Sequence, residues 1–325
     1  MSRLAVRPVD VARAAFVVAA VGFAWWGLRE HRSEIVAALA ATSPARVLAA
    51  GVLVLGGLAV TGAVWHGLLA AFGHDVAPRR AAAIFFVGQL GKYIPGSVWS
   101  LGAQAEMARA FRVPARTTVA VGLLFLWVHL VTAVGVGLAA GGWAGWGGWS
   151  VLLGAGLGTV AIAVGLAPAL LARLAGLLAP DRLQVTWTGW GGVAGIAARM
   201  AAVWCSYGLA TRLVLPPEVV GPGWVGPLGS PGAALPWAPG VTALGAFAAS
   251  YVVGVVVVLA PAGVGAREAV LVGLLAPAVG LGTAVATALL IRVVHTGADV
   301  VVAGLAWLVG RRDPLPADVS STRRT

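Results

Sequence analysis

The chain has 325 residues, 60% of them hydrophobic and only 10% charged, with a mean hydropathy of +0.93. Soluble domains carry about 25% charged residues, so this composition excludes an ordinary soluble enzyme and specifies an all-α, polytopic membrane helix bundle. The net charge of +11 does not point to nucleic acid, because the basic residues stand in short runs flanking apolar segments, as orientation in a bilayer requires.

The first apolar run, Ala14 to Leu28, follows Arg3, Arg7 and Arg13. It has the outline of a signal peptide. However, Trp25-Trp26 and a charged stretch follow where a small-residue cleavage site belongs, so it is read as a retained span over Val11–Leu28. A helix crossing the hydrocarbon needs about 20 mostly apolar residues. Further full spans are expected near Val47–Phe72, Thr117–Ala140, Ser150–Leu171, Gly192–Leu213 and Gly282–Val309. The single cysteine, Cys205, excludes an intramolecular disulfide and reads as a small packing residue.

Two other apolar regions, Ala81–Phe111 and Val241–Pro277, are interrupted by Pro and Gly. Each reads either as a re-entrant broken-helix hairpin or as a pair of shorter spans. In the first, Gly91, Lys92, Pro95 and Gly96 should break any helix. Broken backbone at membrane depth is tolerated only where protein or a water-filled cavity covers it. The alternative is a cytoplasmic loop between two helices.

Basic residues orient the chain. Arg79 and Arg80 precede the first broken region, and Arg109, Arg112 and Arg116 follow it, so it enters from and returns to the cytoplasmic side. Gly141–Trp149 and Pro216–Pro239 read as external, the linker with Arg173, Asp181 and Arg182 as cytoplasmic, and both termini as cytoplasmic. The first external linker, with Arg29, Arg32 and Arg46, runs against the rule. The chain is one transmembrane domain, 1–310, with a short basic tail, 311–325.

The broken regions echo each other. Gly88 precedes Pro95 by seven residues and Gly254 precedes Pro261 by seven, and a carboxylate follows in each, Glu106 or Glu268. With opposite orientations, this spacing reads as an inverted repeat of halves near 47–140 and 192–309, an arrangement that places a transport site between the halves.

The candidate site residues cluster at these breaks. A helix restarting near Ser97 has free N–H groups that Ser97 can cap, and with Lys92 they would attract a phosphate or carboxylate. Tyr93 and Trp99 could bracket a headgroup or anchor at an interface, and Lys92 could instead snorkel to the surface. At the second break, Pro261, Gly263 and Gly265 are the breaking residues, and Arg267 can hold a phosphate through two parallel hydrogen bonds. Glu268 can serve the site or fix Arg267, although adjacent residues on one helix do not face each other and the partner would then lie on another helix. Arg267 reads either as a ligand or gating residue or as half of a structural ion pair.

In the last span, Arg292, His295 and Asp299 share one helical face beside Thr296. They read either as the lining of a polar pathway or as an intrahelical network packed against the fifth full span, which carries Arg199. His66 and His129 read as packing or hydrogen-bonding residues. No zinc-protease, Walker, nucleophile-elbow or dinucleotide motif is present, so no catalytic residue, metal or cofactor is expected.

Gly91-Lys92-Tyr93-Ile94-Pro95-Gly96-Ser97-Val98-Trp99, together with Pro261 to Glu268, resembles the two signature segments of the lysylphosphatidylglycerol synthase transmembrane family, the flippase-like membrane proteins. The likeness runs from about Val47 to Val309, and Ala262 stands where the family commonly has Gly. The resemblance implies a bacterial-type plasma-membrane protein handling lipids, with Lys92, Arg267 and Glu268 at motif positions. No soluble aminoacyltransferase domain is expected after Arg312. The leading expectation is a lipid translocase for a phosphate-bearing lipid, with membrane lipids and enzymes of a lipid or glycolipid pathway as partners. The alternatives are a membrane-embedded transferase or accessory protein using polyprenyl-phosphate carriers, and an assembly subunit whose polar residues only pack.

Overall fold

The computed structural model describes residues 29–94, 99–143, 148–178, 189–216, 238–257 and 261–310. Among these residues the chain is all helical, with no strand. Its helices are α1 (Arg32–Ala41), α2 (Pro44–Ala71), α3 (Pro78–Gln89), α4 (Trp99–Arg109), α5 (Ala115–Trp143), α6 (Gly148–Gly165), α7 (Pro168–Leu178), α8 (Gly189–Val214), α9 (Ala238–Val256), α10 (Ala266–Val279) and α11 (Leu281–Gly310). Short 3-10 turns at Leu90–Tyr93 and Pro261–Gly263 lie between α3 and α4 and between α9 and α10.

Among the described residues, four helices are long and apolar enough to cross a membrane: Pro44–Ala71, Ala115–Gly141, Gly189–Val214 and Leu281–Gly310. They coincide with four of the expected full spans. The expected span Ser150–Leu171 is instead a bent pair, α6 and α7, with 45° between its halves. Pro168 has no N–H to continue the ladder from α6, and the backbone tightens first, with Ala167 N–H donating to Val164 O at 3.2 Å. Counted as one, the pair makes a fifth span. The linker around Arg32 is not a simple loop, since α1 forms there and packs on the start of α11. The expected first span over Val11–Leu28, most of the Pro216–Pro239 loop and the basic tail lie outside the described residues.

Large apolar side chains remain exposed along one side of α6, with Leu152, Leu153, Val160 and Val164 all more than half accessible. An uncovered apolar stripe of this kind suits contact with lipid rather than water. Cys205, expected to pack, is likewise exposed on α8.

The interior is built on α2 and α8, which run antiparallel: Thr42 approaches Val214, and Ser206 Oγ donates to Leu53 O at 2.6 Å. Trp65 of α2 and Trp204 of α8 are fully buried. Around this pair the contacts come in matching sets. Helix α3 packs on α11 and α9 packs on α5, while each broken segment folds back on itself, α3 on α4 and α9 on α10.

Glycines permit both folds. A Cβ on Gly88 would collide with Gln104 of α4, whose backbone N would stand 3.1 Å away, and one on Gly254 would stand 3.1 Å from Arg267 Cβ of α10. These are the two glycines that precede Pro95 and Pro261 by seven residues. The tip of the second fold also needs left-handed backbone, with φ +50° at Ala262 and +69° at Gly263.

Candidate functional site at the two helix breaks

The tips of the two broken segments touch each other, and the first also touches α11. The side chains that meet there are mostly those singled out from the sequence.

At the first tip, the 3-10 turn presents Lys92 and Tyr93 side by side toward α11. Lys92 Nζ pairs with Asp299 Oδ2 at 2.6 Å, and Tyr93 OH donates to the same oxygen at 2.6 Å. Tyr93 OH also approaches Thr296 Oγ1 at 3.4 Å. Asp299 is buried, 7% exposed, so its charge depends on these partners. The snorkelling alternative for Lys92 does not describe this ion pair. Pro95, Gly96 and Ser97 lie outside the described residues. Trp99 is exposed at the start of α4.

At the second tip, the backbone reverses through Ala262 and Gly263 and α10 begins at Ala266. Glu268 does two things there. Its Oε2 accepts the Gly265 N–H at 2.6 Å, which covers one of the unpaired amides at the helix start. Its Oε1 pairs with Arg292 Nη1 of α11 at 3.2 Å. Arg292 Nη1 also donates to Ala262 O at 3.0 Å. Arg292 and Asp299 are therefore joined to the two tips and not to each other, so the intrahelical network is corrected to a pair of bridges between elements. Arg199 is exposed on α8.

Arg267 differs from the other two cations. Its guanidinium lies over the Phe247 ring at 4.5 Å and near the Tyr251 ring at 5.7 Å. Among the described residues it makes no ion pair with a carboxylate. The rings give it a cation–π cradle, and among the described residues its N–H donors make no hydrogen bond. Sequence reasoning missed this cradle, although Phe247 and Tyr251 stand four apart on one apolar helix, a spacing that puts both on one face.

His295 stacks on Phe247 at 5.0 Å and meets Tyr207 edge-on at 4.8 Å, and its Nε2 is buried without a hydrogen-bond partner. Arg267, Glu268, Arg292 and His295, with Leu271 and Ile291, line a narrow cleft with room for about one water molecule. Behind it, His129 is 4% exposed among Phe125, Trp204 and Tyr251, with Nδ1 also unpartnered. Gln104, also missed, is buried with its Oε1 unpartnered. His66 Nε2 donates to Val76 O at 2.7 Å, in keeping with a hydrogen-bonding role.

The charge inventory limits what fits. Lys92, Arg267 and Arg292 face Glu268 and Asp299, three cations against two carboxylates, which leaves one positive charge. Such a site favours one negative charge and would leave a buried surplus with two. Among the described residues no three His, Cys, Asp or Glu side chains come together to hold a metal ion. No family model matches the chain, and no curated protein matches it.

Proposed function

We propose that this protein moves a phosphate-bearing lipid between the leaflets of a bacterial-type plasma membrane, with the headgroup received where the two helix breaks meet. One observation carries this reading. A cation with free donors, Arg267, sits beside two broken helices whose other charges are already paired. A lipid phosphodiester supplies the single negative charge the site lacks, and its acyl chains stay in the bilayer alongside the exposed apolar helix faces. The resemblance of the two break segments to flippase-like proteins supports the same reading.

The two broken segments are re-entrant hairpins of an inverted repeat, α2 to α5 against α8 to α11. The matched packing of α3 on α11 and α9 on α5, the antiparallel α2–α8 pair and the paired glycines Gly88 and Gly254 support this arrangement. Both termini are cytoplasmic.

Purified protein in liposomes is expected to speed leaflet exchange of a fluorescent phosphatidylglycerol. Arg267→Ala should slow that exchange at least about tenfold, the loss of one charge-assisted phosphate contact, with cooperative thermal unfolding retained. A chemically altered lipid found by mass spectrometry would favour a transferase instead. Loss of exchange only in proportion to loss of thermal stability would reduce Arg267 to packing.

A further inference from the structure

The resting site is closed by its own carboxylates. Asp299 occupies the ammonium of Lys92 and the hydroxyl of Tyr93, each at 2.6 Å, while the neighbouring cleft holds little more than one water. A headgroup cannot enter that space unless one of the tips moves away from α11. Of the two joints, the first is the simpler, since one carboxylate oxygen holds both residues of the turn. The second tip is tied through a backbone carbonyl, a helix cap and an ion pair together.

A phosphodiester resembles a carboxylate in the properties Lys92 and Tyr93 use: one negative charge and oxygens that accept from N–H and O–H donors. It can therefore take the place of Asp299 without changing the charge at the turn. The displaced carboxylate then needs a partner. His295 lies four residues earlier on the same helix, one turn away, with its Nε2 buried and unbonded.

We propose that Asp299 is an internal stand-in for the substrate's phosphate, and that the arriving anion, drawn first by Arg267, takes Lys92 from Asp299 and so releases the first tip from α11. This rests on the phosphate-lipid reading above and adds the event by which the site opens. Lys92 thus has two alternative partners, one for each state. Asp299 acts as a positioning residue that sets how readily the cation is given up.

The test compares the full chain with Asp299→Asn, Lys92→Gln and the double variant. Binding of phosphatidylglycerol and of inorganic phosphate would be measured separately, alongside leaflet exchange and thermal unfolding. Removing the competing carboxylate should tighten phosphatidylglycerol binding roughly tenfold and slow exchange, because the bound headgroup is no longer displaced. In the Lys92→Gln background the same substitution should change binding little.

Unchanged or weaker binding in Asp299→Asn, or equal tightening with and without Lys92, would overturn the proposal. Tightening for inorganic phosphate in a protein that exchanges no lipid would support the stand-in while ending the translocase reading. No binding of either probe by any variant would end both.

A second measurement does not depend on the folding of Asp299→Asn. Spin labels at Ile94→Cys and Val300→Cys, both exposed positions, are placed in a Cys205→Ser background. Added phosphatidylglycerol should lengthen the distance between them, and an unchanged distance would overturn the release of the tip.

Discussion

The two breaks solve the same problem with opposite polarity. At the first, the turn supplies the cation, Lys92, and α11 supplies the carboxylate, Asp299. At the second, α11 supplies the cation, Arg292, and the turn region supplies the acceptors, Ala262 O and Glu268. Arg292 and Asp299 are seven residues apart, two helical turns or about 10.5 Å along the axis. One helix thus carries one charge of each joint, directed toward each tip. The backbones differ as well. The second tip needs left-handed residues at Ala262 and Gly263, whereas the described part of the first turn has no positive φ. The second tip is fastened by three polar contacts, whereas the first meets α11 through Asp299 and, at 3.4 Å, Thr296.

Substitutions at the tips can break that contrast. The largest effect is expected for Gly263→Ala, which combines a positive φ with a Cβ placed 2.7 Å from Gly254 O. The two costs together come to about 3 kcal/mol, read as a lowered midpoint of unfolding. Gly91→Ala at the first tip meets the Ser100 backbone at 2.7 Å but has no positive φ, so only the steric part, about 1–2 kcal/mol, should appear. Equal losses at the two glycines would remove the backbone distinction between the tips.

The first joint can be broken directly. Asp299→Ala should cost about 2 kcal/mol in thermal unfolding, less than a fully buried pair because the Lys92 side chain is 34% exposed. Smaller still, Ala262→Gly sharpens the picture of the second tip. It relieves the left-handed alanine at φ +50° but adds chain freedom, for a net gain under ~1 kcal/mol. A loss of stability there would show that Ala262 contributes something other than its backbone angle.

Much of the architecture was legible because it follows from long apolar runs. Val47–Phe72, Thr117–Ala140, Gly192–Leu213 and Gly282–Val309 each have enough uninterrupted length to appear as helices. The bend after Leu166 was not read, although Pro168 carried the signal. Apolar composition says how long a segment is, while a single missing N–H decides whether it stays straight. Helix α1 was missed because ten residues with a charged start show no strong apolar period.

Most residues that meet at the candidate site stood out in the sequence, and their pairings did not. Lys92, Arg267, Glu268, Arg292 and Asp299 stood out because ionisable groups in apolar segments are costly. Their partners come from chain folding, since Tyr93 and Asp299 lie 206 residues apart. The aromatic cradle of Arg267 was hidden for another reason. Phe247 and Tyr251 look like any two ring-bearing core positions until a guanidinium is laid on them.

The length of α11 has a consequence of its own. Thirty residues of α-helix measure about 45 Å, well beyond a hydrocarbon core of about 30 Å, so the helix must lean or protrude in a bilayer. Because both joints ride on it at different heights, a thinner or thicker membrane would alter the lean and shear the two tips by unequal amounts. The two joints would then be expected to respond unequally to bilayer thickness, which unfolding midpoints measured in short-chain and long-chain lipids would check.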